Sequence, residues 1–306
     1  MPATLLLEQS LNGLQFGLML FLLAAGLTLV FGIMDMINLA HGSLYMIGAY
    51  FMASFAQATG SFWLGLPLAL IATAIVGALL EMSLLRRLYG RDHLTQVLAT
   101  FAVILIANEL VRIVWGSQPV LLNTPPELAG PVTLPGGMPY ASYRLAIIAV
   151  GAVVALLLYL LVAKTRVGML VRAGASNREM AIAMGVNIRR LFTIVFALGA
   201  ALCALAGAML GPIFAVQVGM GENILILAFV VIVIGGIGSV RGAFVGALLV
   251  GIVDTSGRAF LPLFFSTFLP PQFASAAGPA VASILIYLLM AVVLYFRPQG
   301  LFPARG

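Results

Sequence analysis

Long apolar runs separated by short polar breaks fill the chain, and their lengths set out its architecture. Runs at 11–31, 36–55, 61–80, 94–115, 145–163 and 191–218 all reach the ~18 residues that mark a spanning helix. Two shorter pieces follow at 224–237 and 242–253, and a last run at 280–296. The second run carries Asn38, His41, Gly42 and Gly48 in its first half, and the fourth has Asn108, Glu109 and Arg112 towards its end. A connection at 116–143 holds six prolines and is too punctuated for a helix. Another Pro-rich stretch, 260–273, precedes the last run. The pattern predicts an all-α polytopic membrane protein of about nine transmembrane helices (eight to ten). A bend is expected at Gly211-Pro212, and the pieces near Gly42 and Gly242 read as re-entrant or broken helices. The chain reads as one domain, 1–306, with a first half of about 1–115, an outer loop 116–143 and a second half of about 144–306.

The two broken regions share a layout. Phe31-Gly32, then Asn38 to Leu44, matches Val231-Ile232, then Gly238 to Phe244. Each is an apolar run, a glycine-containing break, a basic or imidazole residue, a glycine, a small residue and a new apolar run. This suggests an internal duplication. Matching interrupted helices point to a transporter's pathway, which makes Asn38, His41, Gly42, Gly238, Arg241 and Gly242 candidate pathway or gate residues. For Asn38 and His41, interhelical hydrogen bonding or a headgroup position is the competing reading. Gly13/Gly17, Gly207/Gly211 and Gly238/Gly242/Gly246 have the small-x3-small spacing that lets helices approach closely.

Composition narrows the class. The chain is 63% hydrophobic and 8% charged, against about 25% charged for soluble domains. The ~10-residue alternation of an outer-membrane barrel does not occur. The net charge of +6 sits at span ends, so it reads as a topology signal and not as a nucleic-acid surface. With 86–91, 164–190, Arg241 and the tail inside, twelve of fifteen basic residues are cytoplasmic, and only Arg112, Arg144 and Arg258 are outside. That predicts N-out and C-in. Glu8 and the lack of Lys or Arg before the first run leave no basic leader region, so the first span is expected to be retained. Cys203 is the one cysteine and the two histidines, His41 and His93, lie far apart in sequence. Neither a disulfide framework nor a metal site is expected, and no cofactor. A phosphate loop is also missing: Lys164-Thr165 has Ala163 and Leu158 where glycines are required.

The most polar stretch is 164–190, with six of the fifteen basic residues. Ser176-Asn177-Arg178-Glu179 has capping-box spacing, in which Ser176 and Glu179 each satisfy the other's amide. Helix formers follow, and Gly185 falls where a left-handed C-terminal cap belongs. A short capped helix between basic shoulders, with Arg178, Arg189 and Arg190 free for acidic groups or lipid headgroups, offers a knob to a soluble partner. The same pattern also suits an amphipathic connector on the membrane surface. Among the remaining charges, Glu109/Arg112 and Asp254/Arg258 are spaced to pair on their own helices, and Glu222 is a plausible contact for an external partner.

These motifs together resemble a known family. Glu179-Met180-Ala181-x3-Gly185 is similar to the EAA loop of ABC importer permeases, with Met180 in place of the first alanine. Three more stretches, 31–42, 235–242 and 297–302, resemble the branched-chain amino acid permease family, specifically its shorter, LivH-like type. The resemblance implies a permease subunit in the bacterial inner membrane, with 164–190 as the coupling loop. Ser176, Arg178, Glu179, Ala181, Gly185, Arg189 and Arg190 would then couple to the ATPase. It further implies a second, LivM-like permease, two cytoplasmic ABC ATPase subunits, a periplasmic substrate-binding protein and membrane lipid as partners. ATP hydrolysis would belong to the partners, so the chain itself is not expected to be an enzyme. Leucine, isoleucine and valine are the expected substrates, with urea or short amides as the alternative. An ion-coupled secondary transporter would place ionisable groups in mid-membrane, whereas the acids here lie near span ends.

Overall fold

The computed structural model describes residues 3–134, 137–268 and 270–302. Pro135, Gly136, Leu269 and Arg305, which the sequence reading placed in connections and the tail, lie outside the described residues. The centre of the bundle is α1 (Ala3–Met34). From Leu18 to Val30 it is buried on every side, as a helix without a polar face requires. It runs antiparallel to α11 (Val240–Phe265) along a seam of small residues. A Cβ on Gly13 would lie 2.9 Å from the Ile252 Cα, and one on Gly17 equally close to the Ala247 carbonyl. The small-residue spacing noted in the sequence therefore marks helix crossings.

Around this pair stand α2 (His41–Thr59), α3 (Phe62–Leu80), α5 (His93–Trp115), α6 (Ser142–Lys164), α9 (Ile188–Phe214), α10 (Met220–Gly235) and α12 (Pro271–Phe296). A π-helical turn at Glu81–Leu85 and α4 (Arg86–Leu88) extend α3. Seven described spans are long and apolar enough to cross a membrane, including Phe62–Leu88 as one. The more polar α2 is not among them, and α10 is shorter. The chain is an α-helical, polytopic membrane protein by these spans.

Several expected boundaries move. The sixth run ends at Phe214 instead of Val218, because Ala215 turns the chain with φ 57°; Pro212 lies in the last turn. The apolar piece 242–253 is only the front half of α11, which continues through Asp254, Thr255 and Arg258 for 26 residues. The connection 116–143 holds a 3-10 turn (Pro126–Leu128) and an antiparallel hairpin, β1 (Pro131–Leu134) with β2 (Met138–Ala141). The hairpin shares one end of the bundle with the start of α1. At the opposite, basic end, α7 (Arg166–Ser176) and α8 (Arg178–Ala183) follow α6. There the tail folds onto α10: Leu301 and Phe302 donate to the Ile234 and Gly235 carbonyls, each at 2.9 Å.

Candidate functional site

At the hairpin end α1, α9, α10 and α11 diverge around a cavity of about 720 Å³, within the ~300–1,000 Å³ usual for small-molecule sites. Local chain geometry opens it. Past Ala215 the chain is held by reciprocal Val120–Val216 backbone bonds of 2.8 and 2.9 Å. It then turns at Gly219 (φ 85°), so α10 starts only at Met220. Phe16, Ile213, Ile224 and Leu227 form apolar wall. The polar wall is Asn12, Gln15, Arg144, Asp254 and Arg258. The Arg144 guanidinium donates to Asn12 Oδ1 at 2.7 Å, and the Tyr140 hydroxyl of the hairpin donates to the same oxygen at 2.9 Å. The Asp254–Arg258 pair expected from spacing forms at 2.8 Å, and Arg258 also donates to Ser283. Glu109 and Arg112 pair likewise at 2.6 Å. Glu222 instead accepts from Asn108 at 2.5 Å, joining α10 to α5.

Beneath the cavity lies the break between α1 and α2. Asn38 and His41 are fully buried. The imidazole fits a slot between Gly26 and Gly199, each too close to accept a side chain, and meets the Phe196 ring edge-on at 6.2 Å. Gln96 and Thr100 accept from the Ile37 and Leu39 amides. Asn38 Oδ1 accepts from the Ala40 amide at 3.1 Å, yet Asn38 Nδ2 and both His41 nitrogens have no partner among the described residues. The interhelical hydrogen bond that the sequence allowed for His41 does not form among the described residues. An unsatisfied buried polar group costs about 1–3 kcal/mol, so this region is a place where rearrangement has something to gain. Gly42 abuts Gly221, bringing the N-termini of α2 and α10 together. Gly242 abuts Gly235, and Gly238 lies against Gly32. Arg241 is exposed, its guanidinium 5.8 Å from the Tyr159 ring centre. Tyr45, one turn beyond His41, is the residue of α2 on the cavity wall.

At the basic end, α8 forms where a short helix was expected, but the cap differs. Ser176 is the last residue of α7, and Asn177, with φ −151°, caps α8 by accepting from the Met180 amide at 2.8 Å. The Ser176–Glu179 capping box is thus replaced, because α7 takes Ser176 into a helical backbone. Gly185 does adopt the left-handed conformation, φ 85°. Its amide bonds to Ile182 at 2.9 Å and that of Val186 to Ala181 at 3.0 Å, a Schellman closure. Ala181 is buried, whereas Met180, Ile182 and Met184 are 58%, 53% and 79% exposed, a displayed apolar set on a six-residue helix. Ser176, Arg178, Glu179, Arg189 and Arg190 are exposed around it.

Arg178 lies over the Phe192 ring at 4.9 Å. It shares a 410 Å³ pocket with Arg86, Tyr89 and Arg189. Behind that pocket the fully buried Glu81 accepts from Arg86 at 2.9 and 3.2 Å, from Tyr89 at 2.7 Å and from Thr193 at 2.6 Å. Burial, then the bond to Glu81, push the Tyr89 phenol up, which keeps it a donor. The carboxylate therefore ties the π turn after α3 to the first turns of α9.

With this geometry in place, comparison with known proteins is decisive. Residues 9–294 match the family "Branched-chain amino acid transport system / permease component". The chain belongs to that permease family. This permease is 31% identical to the high-affinity branched-chain amino acid transport system permease BraD of Pseudomonas aeruginosa, over 96% of this chain and 95% of BraD. It is 31% identical to LivH of Escherichia coli, over 83% and 87% of the two chains. It is also 28% identical to LivM of the same organism, over 92% of this chain and 67% of LivM. No solved structure matches.

Sequence reasoning about the permease missed its cavity and its buried carboxylate. Asn12 and Gln15 were visible as polar residues inside the first apolar run, and Asp254 ended a piece read as complete. Each was a polar interruption at helical spacing within a span, the signal of an internal water-lined face. Glu81 stood beside Arg86 and Arg87 and read as part of a span-end charge cluster.

Proposed function

We propose that this chain is a membrane-spanning permease subunit of an ATP-binding-cassette importer for branched-chain amino acids in a bacterial inner membrane. The single observation that carries this reading is family membership over nearly the whole chain. The displayed apolar helix α8, capped at both ends at the basic end, supports it. In this reading α2 and α10 join the seven long spans to make nine crossings. The hairpin end faces outward and receives substrate from a binding protein, and the basic end is cytoplasmic. Similarity to LivM as well as to LivH suits a pair of related permeases, this chain with a longer sister. Two ATPase subunits dock on α8, with Ser176, Arg178, Glu179, Ala181, Gly185, Arg189 and Arg190 at or beside the contact. The buried break at Asn38, His41 and Gly42, facing Gly221, is the gate; Gly238, Arg241 and Gly242 form its counterpart in a duplicated second half. Closure of the ATPases moves α8, and through the Glu81 network α3 and α9 move with it.

The test is reconstitution. The chain is purified from its own host in mild detergent, its co-purifying subunits are identified, and labelled leucine, isoleucine, valine and urea are offered to vesicles holding the assembly. ATP-dependent uptake of the three aliphatic amino acids, together with an ATPase pair and a sister permease, is expected. A lone homo-oligomer with ATP-independent flux would overturn the reading, and uptake of urea alone would move the substrate to the amide class.

A further inference from the structure

We infer that the hairpin-end cavity is an entry site for a zwitterionic α-amino acid. Asp254 and Gln15 take the ammonium, Arg144 takes the carboxylate, and Phe16, Ile224 and Leu227 take an aliphatic side chain. The inference rests on the permease reading above and deepens it. An amino acid leaving water carries both charges, and each costs several kcal/mol unless compensated. The cavity holds fixed groups of both signs, on α6 and α11, with α1 between them.

These groups have capacity to spare. Arg258 occupies Asp254 Oδ1, which leaves Oδ2 without a protein donor among the described residues. Asp254 itself is 6% exposed and lines the cavity, so its unused oxygen is an acceptor reached only from the cavity side. Gln15 is 3% exposed and lines the same wall. Its amide has no protein partner among the described residues, so it is open to a ligand in the cavity. Arg144 spends one N–H on Asn12, out of the five a guanidinium offers. Asn12 is fixed in turn by Tyr140, so the cation is aimed before substrate arrives. Ile224 and Leu227 of α10 add apolar wall to the same cavity. Charged and apolar side chains in one cavity match the substrate's own division into head and side chain, whereas a small neutral amide would leave Arg144, which has no carboxylate partner among the described residues, unanswered.

The experiment uses the whole assembly in proteoliposomes and measures labelled leucine uptake beside ATP hydrolysis stimulated by the binding protein. Asp254→Asn and Arg144→Gln are each expected to slow uptake about ten- to a hundredfold at low leucine, the size of one lost hydrogen bond to a charged group. The loss should appear mainly as a higher KM, with stimulated hydrolysis near the wild-type rate. Arg144→Lys should recover part of the uptake. Gln15→Leu, which removes an unpartnered amide and keeps every charge, should also slow uptake without loss of assembled protein. It serves as the readout if either charge variant fails to assemble. Unchanged leucine KM in Gln15→Leu and the charge variants overturns the inference and leaves the permease reading standing. A parallel fall of uptake and hydrolysis in all of them also overturns it, since that is a structural defect. Wild-type vesicles that neither hydrolyse ATP on stimulation nor import leucine would instead overturn the permease reading itself.

Discussion

At the hairpin end the helices part around a polar cavity where Gln15 and one oxygen of Asp254 lack protein partners among the described residues. At the basic end Glu81 has three partners, and backbones meet where no side chain fits. A Cβ on Gly300 would lie 2.5 Å from the Gly236 Cα, and one on Gly246 2.7 Å from the Val231 carbonyl. The two ends are built from similar residue types, since each has a carboxylate on a helix with an arginine four or five residues on. What differs is saturation. Glu81 is closed on by Arg86, Tyr89 and Thr193 and serves as a structural tie, while Asp254 is held on one side and left open on the other. In an importer of the proposed kind the open end receives substrate, and the sealed end must stay tight until ATP is spent.

The contrast breaks most visibly at Glu81. Glu81→Ala takes the shared acceptor from the half-buried Arg86, Tyr89 and Thr193 and should cost about 1–3 kcal/mol. Thermal unfolding of the detergent-purified chain should register this as a large drop in Tm. Asp254→Ala, the matching change at the wet end, leaves an arginine side chain that is 46% exposed and should cost about 1 kcal/mol or less. If the two losses come out equal in the same assay, the ends do not differ in saturation as described.

Gly42→Ala comes next. Its methyl would lie 2.5 Å from the Gly221 carbonyl oxygen, and overpacking of this kind costs about 1–3 kcal/mol. Lower accumulation in the membrane is expected, together with weaker transport. Gly185→Val forces a β-branched residue to φ 85° with nothing nearby to clash against. About 1–2 kcal/mol of local strain should fray the end of α8, so ATPase co-purification falls while the Tm of the bundle holds. Asn177→Ala removes only the N-cap, worth about 1 kcal/mol. A modest loss of ATP-coupled uptake with unchanged assembly is the expected result, and Asn177→Asp should restore it.

Much of this was legible in the chain. The spans, the punctuated connection, the glycine at the end of α8, the two i,i+3 and i,i+4 ion pairs and the family resemblance follow from local pattern. Such features depend on neighbours within a turn or two, which a sequence displays directly. The Ser176 cap was misassigned because two capping residues, Ser176 and Asn177, stand side by side. Only the presence of α7 upstream decides between them. The back half of α11 was cut off for a related reason: Asp254, Thr255 and Arg258 read as leaving the membrane when they face an internal cavity.

The sequence by itself determined that this chain lives in a membrane and that it displays a short helix between basic shoulders, while the count of about nine crossings went beyond the seven long apolar helices the described residues hold. Hydropathy is a property of consecutive residues and needed no partner to be read. The tertiary structure alone decided that Asn12, Gln15, Arg144 and Asp254 share one cavity, and that Glu81 meets Thr193 across the bundle. It also placed His41 between Gly26 and Gly199 with no hydrogen bond among the described residues. Those groups lie tens to hundreds of residues apart, and which of them stay unsatisfied depends on how closely the glycine seams let the helices approach.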